Sequence, residues 1–212
     1  MNIRKGKFIM GQYYRIVVGE KDGMGFHVYD ASKYIGENGE KGFDGGKLLE
    51  HSWTSSCAPQ SVFRLLRMKP HRVAWVGDYA QDLLKGGMLL GTSSRVIEKG
   101  VRVPSHVEVW GNSEPELLIM ENALPLDGQF LLNMEAKEFV DCNAYIRRAS
   151  KYGSRILHPL PLLTAVDDTG DYPDCFPSGK SIGAWAWNLL SVADEPPKGF
   201  SELSVTFGLL DD

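Results

Sequence analysis

The sequence is poor in cysteine, in long apolar runs and in excess basic charge. Its 212 residues contain three cysteines, Cys57, Cys142 and Cys175, whose odd number and wide spacing match neither a disulfide framework nor a zinc motif. No segment approaches the roughly 20 apolar residues that span a bilayer, and the first ten residues lack the apolar core of a signal peptide. With 23 basic and 27 acidic residues, the chain lacks the positive field that attracts nucleic acid. We therefore expect a cytoplasmic protein with reduced thiols, whose partner is neither a membrane nor a nucleic acid.

The common phosphate, metal and nucleophile motifs are also missing. The triplet Gly23-Met24-Gly25 is not a dinucleotide fingerprint, because no helix start follows it at the required spacing. Gly179-Lys180-Ser181 lacks the earlier glycine of a P-loop, since Asp174 stands at that position. The acidic segment 167–174 lacks the order of an EF-hand loop. Neither a cofactor nor a metal site is predicted.

The residues that are present indicate an α+β fold built mainly on antiparallel sheet. Hydrophobic residues make up 43% of the chain and charged residues 24%, as in an ordinary globular domain. Segment 32–46 carries five glycines and is predicted to be a long surface loop. Segment 182–192 is compatible with either a strand or a buried helix. Strands are predicted over 13–18, 26–29, 47–53, 72–76, 106–110, 117–120, 130–133, 138–141, 155–158 and 202–207, and helices over 57–68 and 144–151.

The order of these segments predicts an internal duplication. Three pairs of short segments recur in the same order at similar offsets: 11–14 with 128–131, 47–51 with 154–158, and 74–78 with 184–188. We interpret the chain as two degenerate, pseudo-repeated lobes in one globular unit. An N-terminal extension over 1–9 precedes a first lobe over 10–120 and a second lobe over 121–212.

Several motifs carry a resemblance to a known family. They are Met10-Gly11-Gln12-Tyr13-Tyr14, Glu50-His51-Ser52-Trp53, Trp75-Val76-Gly77-Asp78-Tyr79, the segment from His158 to Thr164, and Gly170-Asp171-Tyr172. The chain resembles a family of uncharacterised bacterial and phage proteins that begin with Met-Gly-Gln-Tyr-Tyr. No activity is established for that family, so the resemblance implies no catalytic role for any residue. It does suggest a third kind of function, in which a phage-encoded protein inhibits a host factor through segment 32–46.

Two histidines at matched positions are the main catalytic candidates. His51 and His158 could act as acid and base or bind a ligand, because an imidazole titrates near neutral pH. Asp78 follows a predicted strand and could orient one of them or hold a sugar hydroxyl. The alternative is structural: each imidazole bonds backbone in the interior, and Asp78 bonds its own turn.

Aromatic residues at element ends complete the predicted ligand-binding set. Trp53 and Trp110 lie where an indole could stack on a sugar or a base, although packing in the core is an alternative for both. Tyr79, Asp171 and Tyr172 belong to the same set. The sequence leaves three functions open: a binding protein for a polar small molecule such as a nucleotide or a sugar, a histidine-dependent hydrolase such as a phosphoesterase, and a protein that binds and inhibits a host protein.

Overall fold

The computed structural model describes most of the chain between residues 13 and 207. The described residues are 13–78, 80, 84–85, 88–89, 95–96, 100–111, 114–120, 124, 126–166 and 181–207. Within these residues, no helix has the length and apolarity needed to cross a bilayer.

Fourteen strands and five α-helices lie in the described part of the chain. The strands are β1 Tyr14–Gly19, β2 Phe26–Ile35, β3 Lys41–Phe43, β4 His71–Gly77, β5 Leu84–Lys85, β6 Met88–Leu89, β7 Arg95–Val96, β8 Arg102–Val103, β9 Glu116–Ile119, β10 Phe130–Asn133, β11 Glu138–Asp141, β12 Ala165–Val166, β13 Leu189–Ala193 and β14 Ser201–Glu202. The helices are α1 Leu48–His51, α2 Cys57–Met68, α3 His106–Trp110, α4 Cys142–Ala149 and α5 Pro159–Leu163.

One ten-stranded sheet organises the molecule. Its order is β14-β11-β10-β13-β4-β1-β2-β3, with β12 paired to β4 and β9 paired to β2. Most neighbours are antiparallel, whereas β12–β4, β2–β9 and β11–β14 are parallel. The predicted α+β fold with a mainly antiparallel sheet is confirmed at this level. Strands from both predicted lobes form this single sheet, and they meet where Arg72 of β4 lies opposite Leu189 of β13.

The two faces of the sheet carry separate hydrophobic clusters. Successive side chains of a strand point to opposite faces, so Val73 and Trp75 of β4 pack into one cluster while Ala74 and Val76 pack into the other. The larger cluster lies under α1, α2, α4 and α5, and the smaller one under α3 and β8. A side chain's face therefore determines which helices it can contact.

Helix α2 has the bounds that the sequence predicts. Its buried residues include Val62, Phe63 and Leu66, which recur at helical spacing along one face. The helix stops at Met68 because Pro70 disfavours helical geometry in Lys69, whose φ of -157° and ψ of 143° are extended.

Two predicted strands are instead helices. Residues 106–110 form α3, where the Ser105 hydroxyl accepts the Glu108 backbone N–H and the Glu108 carboxylate accepts the Ser105 N–H. This capping box satisfies backbone donors of the first turn and overrides the strand-like alternation of the sequence. Residues 48–51 form α1, with Leu48 and His51 buried.

The predicted glycine-rich loop is largely a pair of strands. β2 continues to Ile35 and pairs with β3, so that Tyr34 lies opposite Gly42. Gly39 forms the connecting turn with a φ of 80°, a conformation that suits glycine. The prediction of an irregular segment over 32–46 was wrong, because glycines at a turn and beneath an aromatic ring are compatible with a hairpin.

Four predictions that involve the second half also need correction. Residues 182–187 form turns, and only Leu189–Ala193 form a strand. Trp185 therefore lies in a turn, whereas its proposed counterpart Trp75 lies in β4, so that pair of segments does not match. The predicted strand over 202–207 is reduced to β14, and that over 155–158 to an isolated bridge between Leu157 and Trp53.

Candidate functional site

His51 lies at the end of α1 and is fully buried. Its Nδ1 atom donates to the Gly45 carbonyl over 3.2 Å, and its ring contacts the Tyr14 ring edge-on at 6.2 Å. Among the residues that the structure describes, its Nε2 atom has no hydrogen-bond partner. Burial lowers the pKa of His51 to about 4, because removal from water disfavours the charged imidazole.

His158 is buried to the same extent and caps α5. Its Nδ1 accepts the Leu160 backbone N–H over 3.2 Å, and the Phe63 ring lies at 5.1 Å. Its Nε2 also lacks a partner within the described ranges. Burial lowers the pKa of His158 to about 3. Both imidazoles are therefore neutral at pH 7.

The two histidine-bearing segments meet in space. The His158 backbone N–H donates to the Ser52 carbonyl over 2.6 Å, and Trp53 forms an antiparallel bridge with Leu157. Trp53 is half-buried, with the Arg155 guanidinium 5.8 Å from its ring centre. We call His51, Trp53 and His158 the histidine cluster. Its two imidazoles are 0% exposed, so a substrate could reach them only if the core opened.

Trp110 is the last residue of α3 and Asp78 contacts this helix, away from the histidine cluster. The Asp78 carboxylate accepts the Tyr13 backbone N–H over 3.2 Å, and its carbonyl oxygen accepts a hydrogen bond from His106 Nε2 over 3.0 Å. His106 stacks on Trp110, and the Arg15 guanidinium lies 4.5 Å from the Trp110 ring centre. Because α3 packs on the sheet face opposite α1 and α5, the structure does not bring Asp78 to either predicted histidine.

The remaining predicted residues, Tyr79, Asp171 and Tyr172, lie outside the described residues. In the part of the chain that the structure covers, no group of three or more His, Cys, Asp or Glu side chains could hold a metal ion. Cys57, at the start of α2, is buried, and burial raises the pKa of its thiol. A raised pKa reduces the thiolate fraction that a nucleophile needs.

A cleft of about 960 Å³ lies between two hairpin turns. One turn, residues 20–25, joins β1 to β2, and the other, residues 134–137, joins β10 to β11. We call this space the two-turn cleft. Its lining consists of Glu20, Lys21, Asp22, Met24, Gly25, Arg72, Val101, Met134, Glu135, Lys137 and Leu189.

Arg72 lies at the inner end of the cleft and contacts both turns. Its side chain is 3% exposed and forms a two-pronged ion pair with Glu135, with nitrogen–oxygen distances of 2.8 and 3.3 Å. Its Nε donates to the Lys21 carbonyl over 2.7 Å, and its Nη1 donates to the Trp187 carbonyl over 2.8 Å. A buried guanidinium with this many acceptors fixes the relative position of the elements that supply them.

Trp187 supports the cleft in an unusual backbone conformation. Its φ is 59°, in the left-handed region that bulky residues rarely occupy. Its ring packs on Gly19, where an added Cβ would lie 2.6 Å from Cη2, and its Nε1 donates to the Arg102 carbonyl over 2.9 Å. Such strain often accompanies functional sites, because surrounding contacts must hold it in place.

No family model, curated protein or solved structure matches the chain. Its function therefore has to be inferred from its own residues. The resemblance to proteins beginning with Met-Gly-Gln-Tyr-Tyr stays a prediction.

Sequence reasoning missed the residues of the two-turn cleft. Arg72 is a charged residue at the start of an otherwise apolar strand, and that mismatch is a detectable signal of a buried ion pair. Its partner Glu135 is 63 residues away, so no local motif links them. Lys21 and Lys137 lie in turns, where charged residues are common and carry little information.

Proposed function

We propose that the protein binds a polar small molecule, of the nucleotide or sugar class, in the two-turn cleft. The observation that carries this proposal is the buried Arg72, which joins the two turns and forms the inner end of a cavity with exposed charged groups. Small-molecule sites typically have volumes of about 300 to 1,000 Å³ and combine apolar walls with a few placed polar groups.

The lining of the cleft supports this class of ligand. Apolar surface is provided by four residues of the lining, Met24, Val101, Met134 and Leu189. Both turns also carry charged side chains, such as Lys21 on one and Lys137 on the other. The strained Trp187 lies next to Arg72, and its backbone carbonyl accepts a hydrogen bond from the Arg72 guanidinium. Together these groups offer both a surface for an apolar ring and ionic partners for a polar group.

We also propose that the cleft lies between two lobes that arose by duplication. The strand order supports this, because β4 and β13 are central and each is followed outward by a hairpin, β1–β2 on one side and β10–β11 on the other. Two α-helices lie between β2 and β4, and two α-helices lie between β11 and β13. The turns of the two hairpins are the walls of the cleft.

The proposed site differs from the set predicted from the sequence. None of the five described members of that set lines the two-turn cleft; they are His51, Trp53, Asp78, Trp110 and His158. The hydrolase alternative stays a prediction, and the buried, neutral imidazoles do not favour it. Inhibition of a host protein also stays a prediction.

Thermal unfolding of the full chain with a panel of nucleotides and sugars tests the proposal. A ligand that binds only the native state raises the melting temperature. The variant Gly25→Trp should abolish the shift, because Gly25 lines the cleft, has no left-handed φ, and an added Cβ meets only Glu20 Cγ at 3.5 Å. The matched control Gly199→Asn lies in another turn and should retain the shift. An absence of any shift across the panel, or a shift that survives Gly25→Trp, would refute the proposal.

A further inference from the structure

The ion pairs around the two-turn cleft engage two of its three carboxylates and leave two lysines of its lining outside any ion pair in the described residues. Glu20 pairs with Lys69 at 2.7 Å, and Glu135 pairs with Arg72 at 2.8 Å. Three ionised groups of the lining then remain, Lys21, Lys137 and Asp22. In the described part of the chain neither of these lysines forms an ion pair. The Asp22 Oδ1 atom accepts the Met24 backbone N–H over 2.9 Å, so this carboxylate is already engaged within its turn.

The two lysines come from opposite walls of the cleft. Lys21 belongs to the turn between β1 and β2, and Lys137 to the turn between β10 and β11. The second turn is held by Asn133, whose Oδ1 accepts the backbone N–H groups of Glu135 and Ala136 at 3.1 and 3.0 Å. An oxyanion with several acceptor oxygens can be bound by both ammonium groups at once, and a phosphate monoester has three.

The remaining exposed surface of the cleft is apolar and adaptable. Met24 is 63% exposed and Met134 is 37% exposed, one on each turn. Thioether side chains pack well against aromatic rings and adjust to their shape. A neutral sugar would instead need many fixed donors and acceptors for its hydroxyl groups, and those of Arg72 and Glu135 are already paired with each other.

We infer that the ligand is an anionic molecule with a flat apolar ring, of the nucleoside monophosphate class. Its phosphate contacts Lys21 and Lys137, and its base packs against Met24 and Met134. This inference rests on the proposed function, and it selects the nucleotide over the sugar.

Isothermal titration calorimetry of the full chain with adenosine monophosphate, adenosine, inorganic phosphate and glucose tests the ligand class. Adenosine monophosphate should bind at least about tenfold more tightly than adenosine, because each charge-assisted hydrogen bond is worth that factor or more. Lys21→Ala and Lys137→Ala should each weaken its binding by about tenfold. The matched control Lys151→Ala, an exposed lysine beyond α4, should leave the affinity unchanged.

The possible results separate the two proposals. If glucose or adenosine binds as tightly as adenosine monophosphate, and Gly25→Trp abolishes that binding, the cleft is a ligand site and the ligand class is wrong. The proposed ligand class is also wrong if Lys21→Ala and Lys137→Ala both bind adenosine monophosphate with the same affinity as the unaltered chain. If none of the four compounds binds, the ligand class is wrong, and if the wider panel also gives no thermal shift, the proposed function fails as well.

Discussion

The histidine cluster and the two-turn cleft both place ionisable groups inside the protein, yet they differ in how those groups are satisfied. His51 and His158 are 0% exposed, neutral, and surrounded by aromatic rings. Arg72 is almost as buried, but its guanidinium has acceptors for its N–H groups in the Glu135 carboxylate and two backbone carbonyls. The cluster is closed to solvent, whereas the cleft opens onto it through Lys21 and Lys137.

Because of this difference, we expect the histidine cluster to affect the stability of the fold and the two-turn cleft to affect ligand binding. A neutral imidazole in a dry core stabilises the fold only while it remains uncharged. A paired guanidinium at the inner end of an open cleft instead holds a preorganised surface, and the free charges beside it can contact a ligand. Residue type alone does not distinguish the two regions, because histidine and arginine are both common in functional sites.

The largest expected effect is acid destabilisation through the histidine cluster. The pKa values of His51 and His158 are lowered from 6.5 to about 4 and about 3. The unfolded chain therefore binds more protons than the folded chain below pH 6.5, and the free energy of unfolding falls as the pH decreases from there. At about 1.4 kcal/mol per pKa unit, each histidine contributes a loss on the order of 3 kcal/mol by pH 4. Urea denaturation between pH 7 and pH 4 measures it.

Carboxylates also titrate in this range, so the histidine contribution is isolated with variants. His158→Asn keeps an oxygen that can cap α5 and should make the pH dependence shallower. His27→Asn changes an exposed histidine, with 64% of its side chain accessible, and is the matched control. Equal pH dependence in the two variants would contradict the assignment of a buried neutral His158.

Loss of Arg72 should have the next largest effect. Arg72→Ala removes one partner of a buried ion pair and leaves the carbonyls of Lys21 and Trp187 without their donor. The free energy of unfolding should fall by about 3 kcal/mol, the lower end for such pairs because Glu135 is partly exposed. Denaturant titration at pH 7 measures the change. The control Arg67→Ala, whose partner Asp194 is exposed, should cost much less, and similar losses for both would show that Arg72 does not join the turns.

A smaller effect is expected from crowding Trp187. Gly19→Ala would place a Cβ 2.6 Å from Trp187 Cη2, and overpacking of this kind costs about 2 kcal/mol. Gly25→Ala is the control, since its Cβ would meet only Glu20 Cγ at 3.5 Å. Denaturant titration of both variants compares them. Equal stability would mean that Trp187 moves freely and does not support the cleft.

Sequence patterns predicted the elements that depend on local signals. Helix α2 was predicted in full because its apolar periodicity spans three turns and Pro70 limits it. Helix α3 has five residues, too few for periodicity to show, and Val107 and Val109 alternate as in a strand. The capping box of Ser105 and Glu108 was the local signal that could have identified it.

The site depended on contacts between distant segments, which local patterns do not encode. The pairing of Arg72 with Glu135 and with Trp187 arises only once β4, β10 and β13 are adjacent in the sheet. Histidines in a sequence favour a catalytic interpretation because imidazoles often act in catalysis, but burial is a property of the tertiary structure. The backbone contact between Ser52 and His158 joins the two histidine-bearing segments, and no local pattern in either segment encodes it.

The smallest expected effect concerns Asp78, and it separates the structural role of this residue from the catalytic one. The Asp78 carboxylate accepts the Tyr13 N–H, and an asparagine oxygen can accept the same bond. Asp78→Asn should therefore change the free energy of unfolding by no more than about 0.5 kcal/mol, and it should leave the pH dependence set by His51 and His158 intact. Denaturation curves at pH 7 and pH 5 measure both quantities.

If Asp78 orients a histidine, as the hydrolase alternative requires, the substitution would remove a negative charge beside that imidazole and change the pH dependence of the free energy of unfolding. An altered curve at pH 5 with normal stability at pH 7 would contradict a purely structural role for Asp78.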